Sequence, residues 1–408
     1  RYPQATPLAE VQAALRPGEA LLAFFLGADS SHRWLVWPGS LEYRLLPGRR
    51  EVEGAVRSAY AAFAHPQGTA EEPARLSALL LAGLDPSRLP RRLLLVPDGA
   101  MFYLPFEALP LADGRLMGDL VATSYLPAAA LALGAGRGAA PAPRLLALGG
   151  AEYGGGSGDG TSRAAALEQL RHLPPLPHSE REARRVAALW GEDDATVLTG
   201  AAASEAQLRA MALGDYSVLH LASHGWLDPV SSARSGLVLA PGDAAHDGLL
   251  QVREILELPL AAELVTLSAC GSALGELVTG EGMVGVTRAF LHAGADAVVA
   301  SLWNVDDESA AAFMAAFYGA LRQGVPRGEA LQRARAALRA DARWRHPYHW
   351  AAWVLVGRGD TGVAFPPRRG LPAWAWAVAA ALAAIALGGA AWARGRRRRE
   401  ASPGPPST

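Results

Sequence analysis

The chain has 408 residues and a formal net charge of −1, and half of its residues are hydrophobic. This length and apolar content allow at least one large core, and the near-neutral charge does not favour a polyanionic partner such as a nucleic acid. All 38 basic residues are Arg, which excludes mechanisms that need a lysine amine, such as a Schiff base or a Walker-type phosphate site. The only cysteine is Cys270, so an intrachain disulfide and a multi-cysteine metal site are also excluded.

The first part of the chain has the pattern of a small α/β unit. Residues 21–27 and 33–39 are apolar runs that we expect to pair as a hairpin, and residues 51–64 have helical periodicity. We interpret residues 8–90 as an N-terminal extension of the sheet that follows.

Short apolar runs then alternate with helical patterns. The runs cover residues 92–97, 144–149, 195–200, 217–223, 263–269, 296–303 and 350–357. Helical patterns cover residues 179–190, 204–213, 281–293, 306–322 and 327–340. We expect Ser179 and Ser204 to cap the first two of these helices, since Ser is favoured at that position. Apolar strands separated by helices predict an α/β fold, with a mostly parallel sheet covered by helices on both faces.

A glycine-rich stretch at residues 149–162 invites a phosphate-loop interpretation. No Lys follows it and no G-x-G-x-x-G register fits, so we predict a flexible surface loop over residues 149–175.

Two reactive side chains follow two of the predicted strands. His224-Gly225 ends the run at 217–223, and Cys270-Gly271 ends the run at 263–269. Chemistry in such sheets collects at the carboxyl ends of the strands, and an imidazole beside a thiol can generate the thiolate that attacks a carbonyl. The plainer alternative is a buried structural Cys and a hydrogen-bonded structural His.

A metal site is a weaker alternative, because His220 and His224 are four residues apart. That spacing serves a metal on a helix, but on a strand the two side chains lie roughly 13 Å apart at about 3.3 Å per residue. We therefore expect neither a metal nor another cofactor.

Three segments resemble one known family. They read LHLASHGWLD, LVTLSACGSALGE and GEGMVGVTRAFLHAGADAVVASLWNVDDES. Together with weaker matches in the same order, they resemble the CHAT domain family, which is caspase-like and often follows tetratricopeptide repeats. The resemblance extends over residues 8–358, and it implies a caspase-haemoglobinase fold, a His–Cys dyad and peptide bonds as the substrate.

The resemblance also implies roles for individual residues. His224 matches the family histidine and Cys270 the nucleophile, while the backbone N–H groups of Gly225 and Cys270 would receive the oxyanion. The stretch SLWNVDDES is similar to a run in separases, distant relatives that cut after Arg.

By that similarity, Trp303 would line the first specificity pocket, and Asp307, or failing it Asp306, would meet a basic side chain. The alternative is that both aspartates only stabilise the start of a helix, where acids are favoured by the helix dipole.

The C-terminal segment has the features of a membrane anchor. Residues 371–393 are uncharged and long enough to cross a bilayer, after a linker at 359–370 and before a basic, disordered tail at 394–408. The excess of Arg in the tail predicts a cytoplasmic tail and an extracytoplasmic domain. A buried, Ala-rich core helix is the alternative.

These observations predict a membrane-anchored cysteine endopeptidase that acts on protein or peptide substrates, with a preference for Arg or Lys before the scissile bond. The alternative is a catalytically silent CHAT scaffold that binds a protein partner. Because the sequence starts at Arg1 and not at Met, we expect a tetratricopeptide-repeat sensing module upstream. We expect no nucleic acid partner.

Overall fold

The computed structural model describes residues 6–133, 141–153, 173–226, 228, 231–242, 246–268 and 282–367, together with residues 381 and 392. Cys270, the tail at 394–408, and most of the predicted loop at 149–175 and of the predicted membrane helix at 371–393 lie outside the described residues. In the described ranges, no helix combines the length and apolarity needed to cross a bilayer. The chain divides into two compact units, Arg1–Phe365 and Pro366–Thr408, and the features below belong to the first.

The strands and helices of this unit are as follows. The strands are β1 Glu19–Leu26, β2 Ser30–Trp37, β3 Ser40–Pro47, β4 Arg92–Val96, β5 Ala122–Tyr125, β6 Leu145–Ala151, β7 Ala195–Gly200, β8 Val218–Ala222, β9 His224–Trp226, β10 Gly236–Val238, β11 Leu249–Gln251, β12 Leu264–Leu267, β13 Ala297–Ser301 and β14 Trp353–Gly357. The described helices are α1 Leu8–Ala14, α2 Arg49–Ala64, α3 Glu71–Leu80, α4 Met117–Leu120, α5 Ser179–Ala187, α6 Glu205–Ala210, α7 Val252–Ile255, α8 Gly282–Ala293, α9 Asp307–Arg322 and α10 Arg327–Ala340.

Eleven strands form one sheet in the order β3-β2-β1-β4-β5-β14-β13-β12-β8-β6-β7. Its neighbouring strands are parallel except at β1–β2, β2–β3 and β13–β14. The predicted α/β class with a mostly parallel sheet is therefore confirmed, and a strand overlaps each of the seven apolar runs. The small sheet β11-β10-β9 is not anticipated by the sequence analysis, because its strands have only three residues each.

Helices cover both faces of the sheet. One hydrophobic cluster joins the sheet to α2, α3, α5, α9 and α10, and a second cluster on the other face includes residues of α6, α7 and α8. The side chains of β8 alternate between the two faces, since Leu219 and Leu221 belong to the second cluster and Val218 to the first. His220 accordingly lies on the face covered by α5 and α9.

Of the two serines predicted to cap helices, only Ser204 does so. Ser204 caps α6, because its side chain accepts a hydrogen bond from the Gln207 N–H. The prediction for Ser179 is wrong, since Ser179 is the first residue of α5 and the preceding position makes no side-chain cap. Its hydroxyl instead accepts a hydrogen bond from the Gly150 N–H and donates one to the Leu176 carbonyl.

Candidate functional site

The strands that precede His224 and Cys270 are neighbours. Strands β8 and β12 run parallel, and Leu221 lies opposite Leu267. His224 and Cys270 each lie three positions along the sequence after these two paired residues. Parallel strands end at the same edge of a sheet, so this register agrees with a site that uses both residues. Because Cys270 is not among the described residues, the dyad stays a prediction.

His224 is the first residue of β9, two positions after the end of β8, and only 1% of its surface is exposed. Its Nε2 lies 2.8 Å from the carbonyl oxygen of Pro174, and its ring packs against Tyr153 at a centroid distance of 4.9 Å. A carbonyl oxygen can only accept a hydrogen bond, so Nε2 carries the proton of the neutral ring. The basic lone pair is therefore on Nδ1.

The surroundings of His224 favour its neutral form. Burial lowers the pKa of His224, while the bond to the Pro174 carbonyl and the charge of Asp307 act in the opposite direction with smaller effect. The net shift is downward, so the imidazole is unprotonated at neutral pH. A neutral imidazole is the state that a general base requires.

Tyr153 is held in front of the histidine by a second contact. Its hydroxyl lies 3.1 Å from Ser223 Oγ, and Ser223 also donates a hydrogen bond to the Val238 carbonyl. Ser223 is fully buried between β8 and β9. These contacts restrict the position of the ring that packs on His224.

Gly225 lies in the middle of β9 and is buried. It pairs with Leu237 of the antiparallel strand β10, while His224 pairs with Val238. The glycine predicted from its position after His224 is thus part of a short strand, and its role as an oxyanion donor stays a prediction.

The two aspartates before α9 have different surroundings. Asp306 is exposed at the cap of the helix, and its carboxylate accepts the Ser309 N–H at 2.9 Å. Asp307 is partly buried, accepts the His178 N–H at 3.0 Å, and contributes to the electrostatics of His224. Burial raises the pKa of Asp307, and the backbone N–H and charge of His178 partly oppose that shift. Asp306 therefore has the capping role, and Asp307 is the acid beside the site.

Trp303 packs in the core. Only 3% of its surface is exposed, and its Nε1 donates a hydrogen bond to the Tyr348 carbonyl at 3.0 Å. The indole stacks on Phe63 with an angle of 7° between the rings and meets Tyr60 edge-on. This packing gives Trp303 a role in joining α2 to the sheet, and its place in a specificity pocket stays a prediction.

A buried polar chain lies below His224 on the same strand. His220 Nε2 is 3.0 Å from a Glu182 carboxylate oxygen, and its Nδ1 is 3.2 Å from the Tyr318 hydroxyl, which donates to Thr266. His220 is thus engaged with α5 and α9. Within the ranges that the structure describes, no group of three or more His, Cys, Asp and Glu residues is arranged to bind a metal ion.

Sequence reasoning did not identify Pro174, His178, Tyr153 or Glu182. Pro174 acts through its backbone carbonyl, which no side-chain motif reveals. One feature of the sequence pointed to a residue such as Glu182. His220 lies inside an otherwise apolar strand, and a buried histidine needs a polar partner, which a neighbouring helix can supply.

These features define a mixed α/β protein with a histidine-containing site at the carboxyl edge of a mostly parallel sheet. The family model of the CHAT domain matches residues 70–358, which is more than half of the chain. The chain belongs to the CHAT domain family.

Similar proteins are known among curated sequences and solved structures. Tetratricopeptide repeat protein 28 of Homo sapiens and that of Mus musculus are each 30% identical to this chain over an alignment of 220 residues, and the match covers 45% of this chain. The match covers 8% of the human and 9% of the mouse protein, so this chain spans less than a tenth of either.

Two solved structures are similar at 11% sequence identity. The Saccharomyces cerevisiae separase–securin complex has a TM-score of 0.48 over 85% of this chain and 30% of that chain. The Arg-specific cysteine proteinase gingipain R has a TM-score of 0.43 over 78% of this chain and 76% of that chain.

Proposed function

We propose that the protein is a cysteine endopeptidase with Cys270 as the nucleophile and His224 as the general base. The observation that carries the proposal is the state of His224. It is a buried, neutral imidazole that is oriented by the Pro174 carbonyl and comes just after β8, the strand next to the one that Cys270 follows. The membership of the CHAT family supports the same assignment.

The chemistry follows from these groups. His224 Nδ1 takes the proton of the thiol, and the thiolate attacks the carbonyl carbon of the scissile peptide. The N–H groups of Gly225 and Cys270 would stabilise the oxyanion. His224 then returns the proton to the leaving amine, and a water molecule activated by the same imidazole hydrolyses the thioester and regenerates the thiol.

Pro174 and Tyr153 would serve this cycle by positioning the imidazole. A ring that turns about its χ2 angle exchanges the places of its two nitrogens and loses the alignment of the lone pair. The hydrogen bond at Nε2 and the aromatic contact both oppose that rotation. In this proposal neither residue contacts the reacting atoms.

We propose further that the enzyme prefers Arg or Lys before the scissile bond, through Asp307. Burial raises the pKa of this carboxyl, which means that its charged form is poorly solvated and gains from a cationic partner. Asp307 is also close enough to His224 to affect its titration.

The specificity can be tested with a peptide library and two matched variants. Asp307→Asn should lower kcat/KM for substrates with Arg before the cut by about 10-fold or more, since a charge-assisted hydrogen bond is lost. Asp306→Asn is the control, because Asp306 caps α9 and should leave the preference for Arg unchanged. A library that shows acidic residues before the cut would contradict the role of Asp307 but not that of the dyad.

A non-catalytic scaffold is the second candidate function. It is favoured by one observation, namely that the curated relatives are much longer proteins named for their tetratricopeptide repeats, which suits a context of protein assembly. An upstream module of such repeats would then be the partner or sensor. A covalent peptide probe directed at thiols separates the two functions, because only an active dyad reacts with it in a manner that depends on His224.

We also propose that residues 371–393 anchor the protein in a membrane, with the tail on the cytoplasmic side. This stretch carries no charge over 23 residues and is followed by five Arg within the next six positions. Deletion of all residues after Arg369 should move the protein from the membrane pellet to the supernatant, without loss of peptidase activity. If the truncated protein remains in the pellet after a high-salt wash, the anchor lies elsewhere.

A further inference from the structure

Strand β3 forms one edge of the eleven-stranded sheet, and three of its large apolar side chains are exposed. Leu41, Tyr43 and Leu45 are 42%, 55% and 59% exposed. An edge strand of eight residues with an apolar face can pair with another chain, and proteins normally protect such edges. Among the described residues, β2 is the only strand that pairs with β3, so no further strand covers this edge. The pairing of β2 with β3 also has a continuous register without a bulge.

The register of the β2–β3 hairpin shows which backbone groups face outward. A two-residue turn joins Trp37 to Ser40, which lie opposite each other. Such a turn closes on a hydrogen-bonded pair, and in antiparallel strands bonded and non-bonded pairs alternate. Leu41, Tyr43 and Leu45 are therefore at non-bonded positions toward β2, and their N–H and C=O groups point to the open edge.

The sequence of the edge is self-complementary. Residues 41–45 read LEYRL, which has the same pattern of apolar and oppositely charged residues when it is aligned antiparallel with itself about Tyr43. In that alignment Leu41 lies opposite Leu45, the two Tyr43 side chains meet, and Glu42 lies opposite Arg44 on the other face. The outward-facing groups of the three apolar residues would then form bonded pairs across the two-fold axis.

We propose that two copies of this chain associate through antiparallel pairing of their β3 strands. Opposite charges and apolar pairs at directly facing positions stabilise antiparallel strands, while like charges at such positions destabilise them. An isologous contact of this kind closes on itself and gives a dimer, not a fibre.

An aromatic surface lies beside the proposed interface. Phe25 is 54% exposed, and its ring neighbours His32, whose ring in turn stacks with Trp34 and Tyr43 at 5.6 Å and 5.9 Å. These rings share the face of Leu41 and Leu45, so two copies would form a continuous aromatic surface across the axis. His224 is on β9 and follows β8, which lies at the ninth position of the sheet counted from β3, so dimerisation would leave the candidate active site open.

The charge pattern allows a test by exchange. Glu42→Arg alone places Arg opposite Arg44, and Arg44→Glu alone places Glu opposite Glu42, so each variant of the full chain should sediment with a lower mass than the wild-type dimer. An equimolar mixture of the two variants restores both opposite-charge pairs and should recover the dimer as a heterodimer. The double variant Glu42→Arg/Arg44→Glu should dimerise with itself.

Disulfide cross-linking tests the same strand pairing independently, because it does not use the charge variants and so does not depend on their stability. In the Cys270→Ala background, Tyr43→Cys should form an intermolecular disulfide under mild oxidation, because bonded antiparallel pairs have Cα atoms about 5.5 Å apart. Phe25→Cys in the same background is the matched control, equally exposed but two strands from the edge, and should cross-link much less. A monomeric wild type, a mixture that does not form heterodimers, or equal cross-linking at both positions would overturn the proposal.

Discussion

Replacement of Cys270 by Ala should abolish peptide hydrolysis, and His224→Ala should do the same. We expect a loss of about 10³-fold or more in kcat for each variant, because thiolate formation and protonation of the leaving amine are both lost. The two residues act as a unit, so the double variant should lose little more than either single variant. The measurement is the turnover of an Arg-containing peptide by the purified full chain.

His292→Ala is a suitable control for these variants, because His292 is exposed on α8 and has no place in the proposed chemistry. It should retain wild-type turnover. Each variant should also melt near the wild-type temperature, with a small shift for His224→Ala because of its lost contacts with Pro174 and Tyr153. Substantial turnover in Cys270→Ala would show that the nucleophile is another group.

Glu107→Gln should destabilise the fold more than any surface change. Glu107 and Arg335 are 1% and 3% exposed, and their side chains form an ion pair at 2.9 Å. The carboxylate also accepts hydrogen bonds from Thr123 and lies 2.8 Å from the Tyr125 hydroxyl. Removal of its charge leaves the Arg335 guanidinium buried without a counter-charge, which costs about 3–5 kcal/mol of the free energy of unfolding.

Urea unfolding of the full chain measures this loss. Glu308→Gln is the matched control, because Glu308 pairs with Arg343 at an exposed site and its loss should leave the unfolding midpoint unchanged. Replacing the partner as well, in Glu107→Gln/Arg335→Met, should recover part of the lost stability because the unpaired charge is gone. If Glu107→Gln and Glu308→Gln have the same midpoint, the buried pair does not stabilise the fold.

The fold class could be predicted from the sequence, because the strands of a buried parallel sheet are apolar throughout and are visible as continuous apolar runs. Strand β5 escaped detection, since its residues ATSY are short and partly polar, and it is recognised only by its pairing with β4 and β14. Strand β3 was missed for the opposite reason: it is an edge strand with alternating polar and apolar residues, next to a hairpin that already accounted for the apolar runs.

The candidate site was accessible in part. The position of His224 after an apolar run signalled a strand end, but its orientation depends on the Pro174 carbonyl, which lies 50 residues earlier in the chain and contributes no side-chain signal. Likewise, the sequence alone does not show which of the adjacent residues Asp306 and Asp307 caps the helix and which faces the site. Only the start of α9 distinguishes them, because it directs one carboxylate to the helix cap and the other toward His178.

The position of β14 has a consequence for how the protein forms during synthesis. Strands β1 to β5 occupy one side of the eleven-stranded sheet and β6, β7, β8, β12 and β13 the other, while β14, the last of the described strands in chain order, lies between β5 and β13. The two sides therefore cannot join until residue 357 has left the ribosome, and until then both β5 and β13 expose an unpaired edge. The nascent chain thus carries two separate half-sheets until β14 has been made, and this strand alone joins them among the described residues.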